Sequence, residues 1–113
     1  MSKFENQLIL TIVNRGFSDV VMDAAKEAGA RGGTIITARG TGSREAEKFF
    51  GITIQPEKEL VLILAPEQNK NEIMKAITKK TGLAAPGQGI TFSLPVDDVM
   101  GLTNTELDGK KDV

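Results

Sequence analysis

Two short runs of the chain are apolar on both faces of an extended strand, and this pattern strongly limits how the chain can fold. In residues 8–13 and again in residues 60–65, both alternating sets of positions are almost entirely apolar. Strands of this kind are covered on both sides. Helices on one side of a sheet leave the other side open, and an open apolar side is an interaction surface. The pattern therefore predicts assembly with other chains.

The remaining segments alternate between strand-like and helix-like patterns. Strands are predicted at residues 7–13, at 33–38, at 52–54 with 60–64 after an interruption at 55–58, and at 90–94. Helices are predicted after residue 18 and over residues 67–80, with one helical turn at 44–50. The order βαββαβ predicts an α+β fold of the ferredoxin-like, split βαβ type. Right-handed crossovers then place two helices on one face of one antiparallel four-stranded sheet.

Local signals mark the ends of these elements and of the domain. Ser18 is the expected N-cap of the first helix, and Gly29 and Gly82 are the expected helix stops. Pro95 is expected to end the last strand. We expect one folded domain over residues 1–103, followed by a polar tail at 104–113.

Charge and hydropathy exclude two classes of partner. The chain has 14 Lys and Arg against 15 Asp and Glu, a net charge of -1, so a nucleic-acid partner is not expected. No apolar run approaches the roughly 20 residues that span a bilayer, so direct membrane insertion is not expected either. The first residues lack a signal-peptide pattern, which predicts a cytoplasmic location.

The composition also removes the usual chemistry of enzymes and metal sites. The chain has no His and no Cys, so the commonest general base, the thiolate nucleophile and the commonest metal ligands are missing. Asp97 and Asp98 form a carboxylate pair, but a turn after Pro95 explains them without catalysis. We therefore expect no catalytic residues, no metal site and no enzymatic activity.

Two glycine-containing segments resemble motifs of the P-II family of signal-transduction proteins. The sequence GTIITARGTG at residues 33–42 is similar to the family's second strand and its exit. The TG pair at residues 81–82, a glycine-rich loop and the sequence GITFSLPVDD at 89–98 are similar to its glycine loop and final strand. Together with the order of elements, the resemblance extends to about residue 106.

The resemblance implies a homotrimer with inward-facing sheets and adenine nucleotides bound in clefts between subunits. It also implies a loop after the second strand that docks on a membrane transporter or a metabolic enzyme. The implied nucleotide-binding residues are Thr34, Gly40, Thr41, Gly42, Leu62, Ile63, Gly87, Gln88 and Gly89. Thr34 would contact the base and the backbone at Leu62 and Ile63 would line the adenine pocket. Arg39 and Arg44 are candidates for contact with a phosphate or a partner.

The chain departs from the family pattern where the phosphates would lie. Ile90, Gly101 and Thr103 stand where the family has basic phosphate ligands, and the docking loop is reduced to about residues 43–51. No cofactor is required by this pattern, and ATP, ADP or AMP is the expected effector.

Each of these signals also has a plain structural explanation. The glycines at 40–42 and 82–89 suit a strand exit and a helix end, and the two arginines suit solvated surface charges. Two functions therefore remain open. The favoured one is an effector-sensing regulator of a protein partner; the alternative is a ligand-free trimeric scaffold, or a metal-tolerance-type protein, that shares only the fold.

Overall fold

The structure is a computed structural model, and it describes residues 5–41, 56–83 and 88–102. The elements in chain order are β1 (Asn6–Asn14), α1 (Ser18–Glu27), β2 (Thr34–Arg39), β3 (Glu57–Pro66), α2 (Glu67–Thr81) and β4 (Gly89–Val96). All three strand pairings are antiparallel, and the strand order across the sheet is β2-β3-β1-β4. The predicted ferredoxin-like fold is confirmed. The helical turn expected at 44–50 and the extended stretch at 52–54 lie outside the described residues.

The core lies between the two helices and one face of the sheet. Odd-numbered residues of the central strands point into it, and amphipathic helix positions meet them from the other side. The fully buried members are Ile9, Val13, Val61, Ile63, Val21, Ala25, Ile73 and Ile77. One polar contact crosses the same face, where the hydroxyls of Thr11 and Thr91 lie 2.9 Å apart. This layer accounts for one of the two apolar faces of β1 and β3.

The even-numbered residues form the opposite side of the sheet, which we call the outer face. Strand register places Leu10 between Leu62 and Phe92, at the centre of this face. The other members are Leu8, Ile12, Thr34, Ile36, Leu60, Leu64, Ile90 and Leu94. Several of them are exposed, including Leu94 at 44% and Ile90 at 54%. The outer face is thus a continuous apolar surface that no described element of the chain covers.

Strands β3 and β4 have boundaries that differ from the sequence-based prediction by more than one residue. Strand β3 already begins at Glu57, because the charged residues at its start have partners: Glu57 pairs with Arg15, and Lys58 donates a 2.6 Å hydrogen bond to Asn14. Strand β4 does not stop at Pro95 but continues to Val96. It lies at the edge of the sheet, where a residue without an N–H is tolerated.

The start of α1 also differs, whereas both predicted helix stops are confirmed. Ser18 is the first helical residue and not the N-cap; the N-cap position is Phe17, which makes no side-chain capping bond. The first free N–H group of the helix, that of Ser18, donates to the Glu59 carboxylate of β3, which also accepts a hydrogen bond from the N–H of Gly16 in the preceding turn. At the other ends, Gly29 and Gly82 have φ of 111° and 72°, a conformation that favours glycine.

Candidate functional site

A cleft of about 650 Å³ lies at one border of the outer face. We call this border the cleft end of the sheet: β1 begins there, β2 begins there, and β3 and β4 end there. The lining residues come from β1, the segment before β2, the end of β3 and the segment after β4. They are Leu8, Arg31, Gly32, Gly33, Thr34, Leu62, Leu64, Val96, Asp98, Val99, Met100 and Leu102. The volume is within the range of small-molecule sites, about 300–1,000 Å³.

Two of the residues expected at the adenine pocket lie together in this cleft. Thr34 and Leu62 are direct partners in the β2–β3 pairing and both belong to the outer face. The neighbouring Ile63 points the other way and its side chain is fully buried in the core. Only its backbone is therefore oriented to take part in a site on the outer face.

Gly33 sets the shape of the cleft next to Thr34. A Cβ at this position would lie 2.9 Å from the carbonyl oxygen of Leu62 and 2.9 Å from the sulfur of Met22. Both distances are shorter than real side chains allow, so a larger residue would push the start of β2 away from β3. The glycine permits close approach of the two strands at the wall of the cleft.

A second group of predicted site residues lies at the opposite end of the sheet, which we call the hairpin end. Arg39 is the last residue of strand β2 there, and the N–H of the next residue, Gly40, donates a 2.8 Å hydrogen bond to the carbonyl of Pro56. Thr41 follows them and is exposed. The φ angle of Gly40 is not positive, so a left-handed turn does not explain why glycine occupies this position. A Cβ at this position would instead lie 3.2 Å from Cε of the Lys58 side chain.

The start of β4 lies at the same end but on the other edge of the sheet. Gln88 is exposed, and Gly89 pairs with Val13. Gly89 has a φ of 134°, and a Cβ there would lie 2.3 Å from the carbonyl oxygen of Ile12. Backbone geometry alone therefore requires glycine at this position. Gly42, Arg44 and Gly87 lie outside the described residues.

The two groups of predicted residues are far apart within one chain. Thr34 and Gly40 are separated by six residues of extended backbone, which at about 3.3 Å per residue is roughly 20 Å. Gly40 follows the edge strand β2, and Gly89 begins the edge strand β4. These two strands are three strand spacings apart, or about 14 Å. One chain brings Thr34 and Leu62 together, but it does not bring them to Arg39, Gly40, Thr41, Gln88 and Gly89.

Charged side chains cluster at the hairpin end and have hydrogen-bond or ion-pair partners there. Arg15 pairs with Glu57, and its backbone N–H also donates to the carbonyl of Glu57. The pKa of Glu59 is lowered, chiefly by a hydrogen bond from the Ser18 side chain and further by the N–H groups of Ser18 and Gly16 and the charge of Arg15. These contacts fix the turn between β1 and α1 against the start of β3.

Sequence reasoning missed several residues of the cleft, above all its charged ones. Arg31 precedes β2 and Asp98 follows β4, and both lie in segments without a regular pattern. Asp98 was noted only as part of a carboxylate pair in a turn. The apolar wall formed by Val99, Met100 and Leu102 was likewise not expected, because those residues follow the last predicted strand.

The part of the chain that the structure describes contains neither a metal-binding cluster nor a membrane-spanning helix. No cluster of three or more acidic side chains is placed to hold a metal ion in those ranges. Neither described helix is long and apolar enough to cross a membrane.

Comparison with known proteins assigns the chain to a family. A search of curated protein sequences finds no match. Among solved structures, the crystal structure of Arabidopsis thaliana PII bound to citrate is similar, with a TM-score of 0.64 and 22% identity over 87% of this chain and 81% of that one. At this identity the similarity establishes the fold. The model of the family described as nitrogen regulatory protein P-II matches residues 6–106, which is most of the chain, and the chain therefore belongs to the P-II family.

Proposed function

We propose that the protein is a cytoplasmic, homotrimeric regulator that binds a small effector between its subunits. The effector is an adenine nucleotide, and its binding changes the affinity of the trimer for a membrane transporter or a metabolic enzyme. Membership of a regulatory family supports the general class. The observation that carries the proposal is the cleft that holds Thr34 and Leu62 at the border of an uncovered apolar face.

The outer face supports assembly of the chain. It combines half-buried leucines of the central strands with exposed side chains of the edge strand, among them Ile90, Phe92 and Leu94. Burying apolar surface of this kind stabilises an oligomer by about 25 cal/mol per Å². A closed ring places the outer faces of the subunits against one another and removes them from water.

The separation of the predicted site residues supports a site between subunits. Thr34 and Leu62 lie at the cleft end, whereas Arg39, Gly40 and Gly89 lie at the hairpin end. A closed ring joins one edge of each subunit to a different edge of the next. In the proposed trimer the cleft end of one subunit meets the hairpin end of its neighbour, so that a nucleotide between them contacts both groups.

A small-molecule effector is further supported by the similar fold of Arabidopsis thaliana PII, which was crystallised bound to citrate.

One observation favours the alternative of a ligand-free scaffold. The positive φ of Gly89 and its closeness to Ile12 explain that glycine without any phosphate. Binding experiments separate the two functions.

The first experiment tests the assembly. Light scattering on the purified protein should give the mass of a trimer at micromolar concentration. Leu10→Glu places a charge at the centre of the outer face and should produce smaller species that keep their helical circular dichroism. Val20→Glu, which adds the same charge at an exposed position of α1, is the control and should stay trimeric. A stable wild-type monomer would contradict the proposal.

The second experiment tests the effector. Thermal unfolding is followed with ATP, ADP, AMP, cyclic nucleotides, 2-oxoglutarate and bicarbonate, since a ligand that binds only the folded state raises Tm. At least one adenine nucleotide should raise it. No shift with any compound at millimolar concentration would favour the scaffold. The same preparation should show no hydrolysis of ATP, acyl phosphates or esters, because the chain has no His and no Cys.

A further inference from the structure

Strand β2 is exposed on both faces and along one edge. It lies at the border of the sheet next to β3, and its packing is almost entirely on that strand. Ile35 lies on the helix side and Ile36 on the outer face, yet they are 45% and 43% exposed. Ala38 is the one residue of β2 that is partly buried. Exposed apolar side chains on both faces indicate an interaction surface, because a strand normally has at least one covered face.

The hydrogen-bond register shows which backbone groups of β2 point away from the sheet. The N–H of Gly40 donates to the carbonyl of Pro56, so the even-numbered residues of β2 direct their N–H and C=O groups to β3. The backbone groups of Ile35, Thr37 and Arg39 therefore point outward, and no strand within the described ranges pairs with them. This outward edge of β2 offers alternating donors and acceptors in the spacing that an added strand requires.

The outward edge of β2 also lacks the features that usually block strand addition. Residues 34–39 contain no proline, no lysine and no carboxylate, and their pairing with β3 is continuous, without a bulge. The other edge strand, β4, contains a proline. The contrast favours β2 as the edge on which another strand can be added.

The existing partner of β2 shows which side chains suit this strand. The register pairs Arg39 with Glu57, Ile36 with Leu60 and Ile35 with Val61. A strand added antiparallel to the outward edge places its side chains beside the same three residues of β2, on the same faces. Arg39 is the one charged residue of β2, and Glu57 already pairs with Arg15. An acidic residue opposite Arg39 and two successive apolar residues opposite the isoleucines are therefore complementary to this edge.

We propose that the outward edge of β2 binds an extended segment of a protein partner, which joins the sheet as an additional antiparallel strand. The segment carries an acidic residue, followed three and four positions later by two apolar residues, as the β3 register requires. This inference rests on the proposed function for the existence of a protein partner, and it adds the surface on which that partner docks. Since β2 begins with Thr34 in the cleft, the docked strand ends beside the effector site.

The test uses a synthetic peptide with blocked termini, TEKTLVTK, which is labelled for fluorescence anisotropy and titrated with the full chain. Its glutamate is placed to lie opposite Arg39, and its leucine and valine opposite Ile36 and Ile35. Saturable binding is expected. Glutamine in place of the glutamate should weaken binding by about two- to fivefold, the strength of one opposite-charge pair across strands. No binding at millimolar concentration would overturn the inference.

Two N-methylated peptides test the backbone register with the wild-type protein, so the result does not depend on the folding of a variant. The amide of the fourth peptide residue, opposite Thr37, faces β2, and its methylation should abolish binding. The amide of the fifth residue faces away from β2, and the same change there should leave the affinity within about twofold. Equal effects of the two methyl groups would show that the peptide does not pair with this edge, which contradicts the proposal.

A pair of variants at one position tests the same edge from the protein side. Thr37→Pro removes an outward N–H and no hydrogen bond to β3, so the variant should keep the wild-type circular dichroism. It should lose peptide binding, whereas the matched control Thr37→Val should retain it. Unchanged peptide binding by folded Thr37→Pro protein would exclude strand addition at β2.

Light scattering on the same variants identifies a competing occupant of the edge. Both variants should have the mass of the wild-type assembly. A smaller mass for Thr37→Pro alone would show that a neighbouring copy of the chain pairs with β2, and the proposal of a partner segment would then be wrong. Wild-type protein that binds the peptide but no nucleotide would contradict the proposed effector and support this inference.

Discussion

The carboxylate of Glu59, near the start of the central strand β3, accepts a 3.1 Å hydrogen bond from the backbone N–H of Ser18 at the start of α1. The same oxygen accepts a 3.0 Å bond from the N–H of Gly16. A side chain 41 residues further along the chain thus takes the place of a local N-cap. It ties the helix to β3 at the end of the sheet where the predicted docking loop begins.

The first prediction is a pH dependence of stability that depends on Glu59. Its pKa in the folded chain is lowered, chiefly by the Ser18 side chain, so the ionised form is favoured by folding. This stabilisation is complete above the unfolded pKa of about 4.3 and is lost as the pH falls through the lower, folded pKa. Glu59→Gln should therefore lower Tm at pH 7, and the difference from wild type should shrink below about pH 4.

The matched control for this experiment is Asp23→Asn, which removes an exposed carboxylate from the same helix. Its Tm should follow the wild-type curve across the pH range. A Glu59→Gln variant whose Tm difference stays constant from pH 7 to pH 3 would show that the carboxylate charge is not what stabilises the turn.

The second prediction concerns the core beneath the cleft. Ile63 is fully buried against the helices, so Ile63→Ala should lower the free energy of unfolding by about 2–5 kcal/mol per subunit. Ile63→Asp should leave no folded protein, because it buries an unpaired charge. Denaturation in urea measures the first, and circular dichroism the second. Folded Ile63→Asp protein would mean that this side chain can reach water.

The third prediction compares two glycines with positive φ. Gly89 has a φ of 134° and no room for a Cβ, whereas Gly16 has a φ of 97° and nothing within 4 Å of that position. Gly16→Ala should cost about 1 kcal/mol from backbone strain alone. Gly89→Ala should cost clearly more, since the strand must also move away from Ile12. Equal losses in urea denaturation would contradict the steric explanation of Gly89.

The fourth prediction is a coupling between Thr11 and Thr91. Thr11 is fully buried and its hydroxyl lies 2.9 Å from that of Thr91. Thr11→Val should cost about 1–3 kcal/mol, because it leaves the other hydroxyl without its partner. The double variant with Thr91→Val should recover part of the loss. A double-mutant cycle in urea measures this, and additive losses would show that the two hydroxyls do not depend on each other.

The fold was predictable from the sequence because its signals are local or periodic. The two-sided apolar strands around Leu10 and Leu62 predicted both the sheet and its uncovered face, which the strand register confirms. Gly82 predicted the end of α2 because a left-handed helix end favours glycine, which is a local signal. Boundaries that depend on partners distant in sequence were not predictable in this way. Glu57 joins β3 through Arg15, and Glu59 replaces the cap expected from Ser18.

The candidate site was predictable only in part. Thr34 and Leu62 came from the family resemblance, and the structure places them side by side. Arg31 and Asp98 were not identified as site residues, because they share the cleft only after the segments that flank β2 and β4 have folded. No spacing in the sequence indicates that proximity.

Pro95 in the edge strand β4 has a consequence for the single chain. The single chain presents an apolar outer face and two strand edges, a combination that promotes aggregation into extended sheets. Proline has no N–H, so the β4 edge cannot offer an unbroken row of donors to a foreign strand. Pro95, which was expected to end the strand, thus acts as a gatekeeper that disfavours fibrillar growth of the single chain.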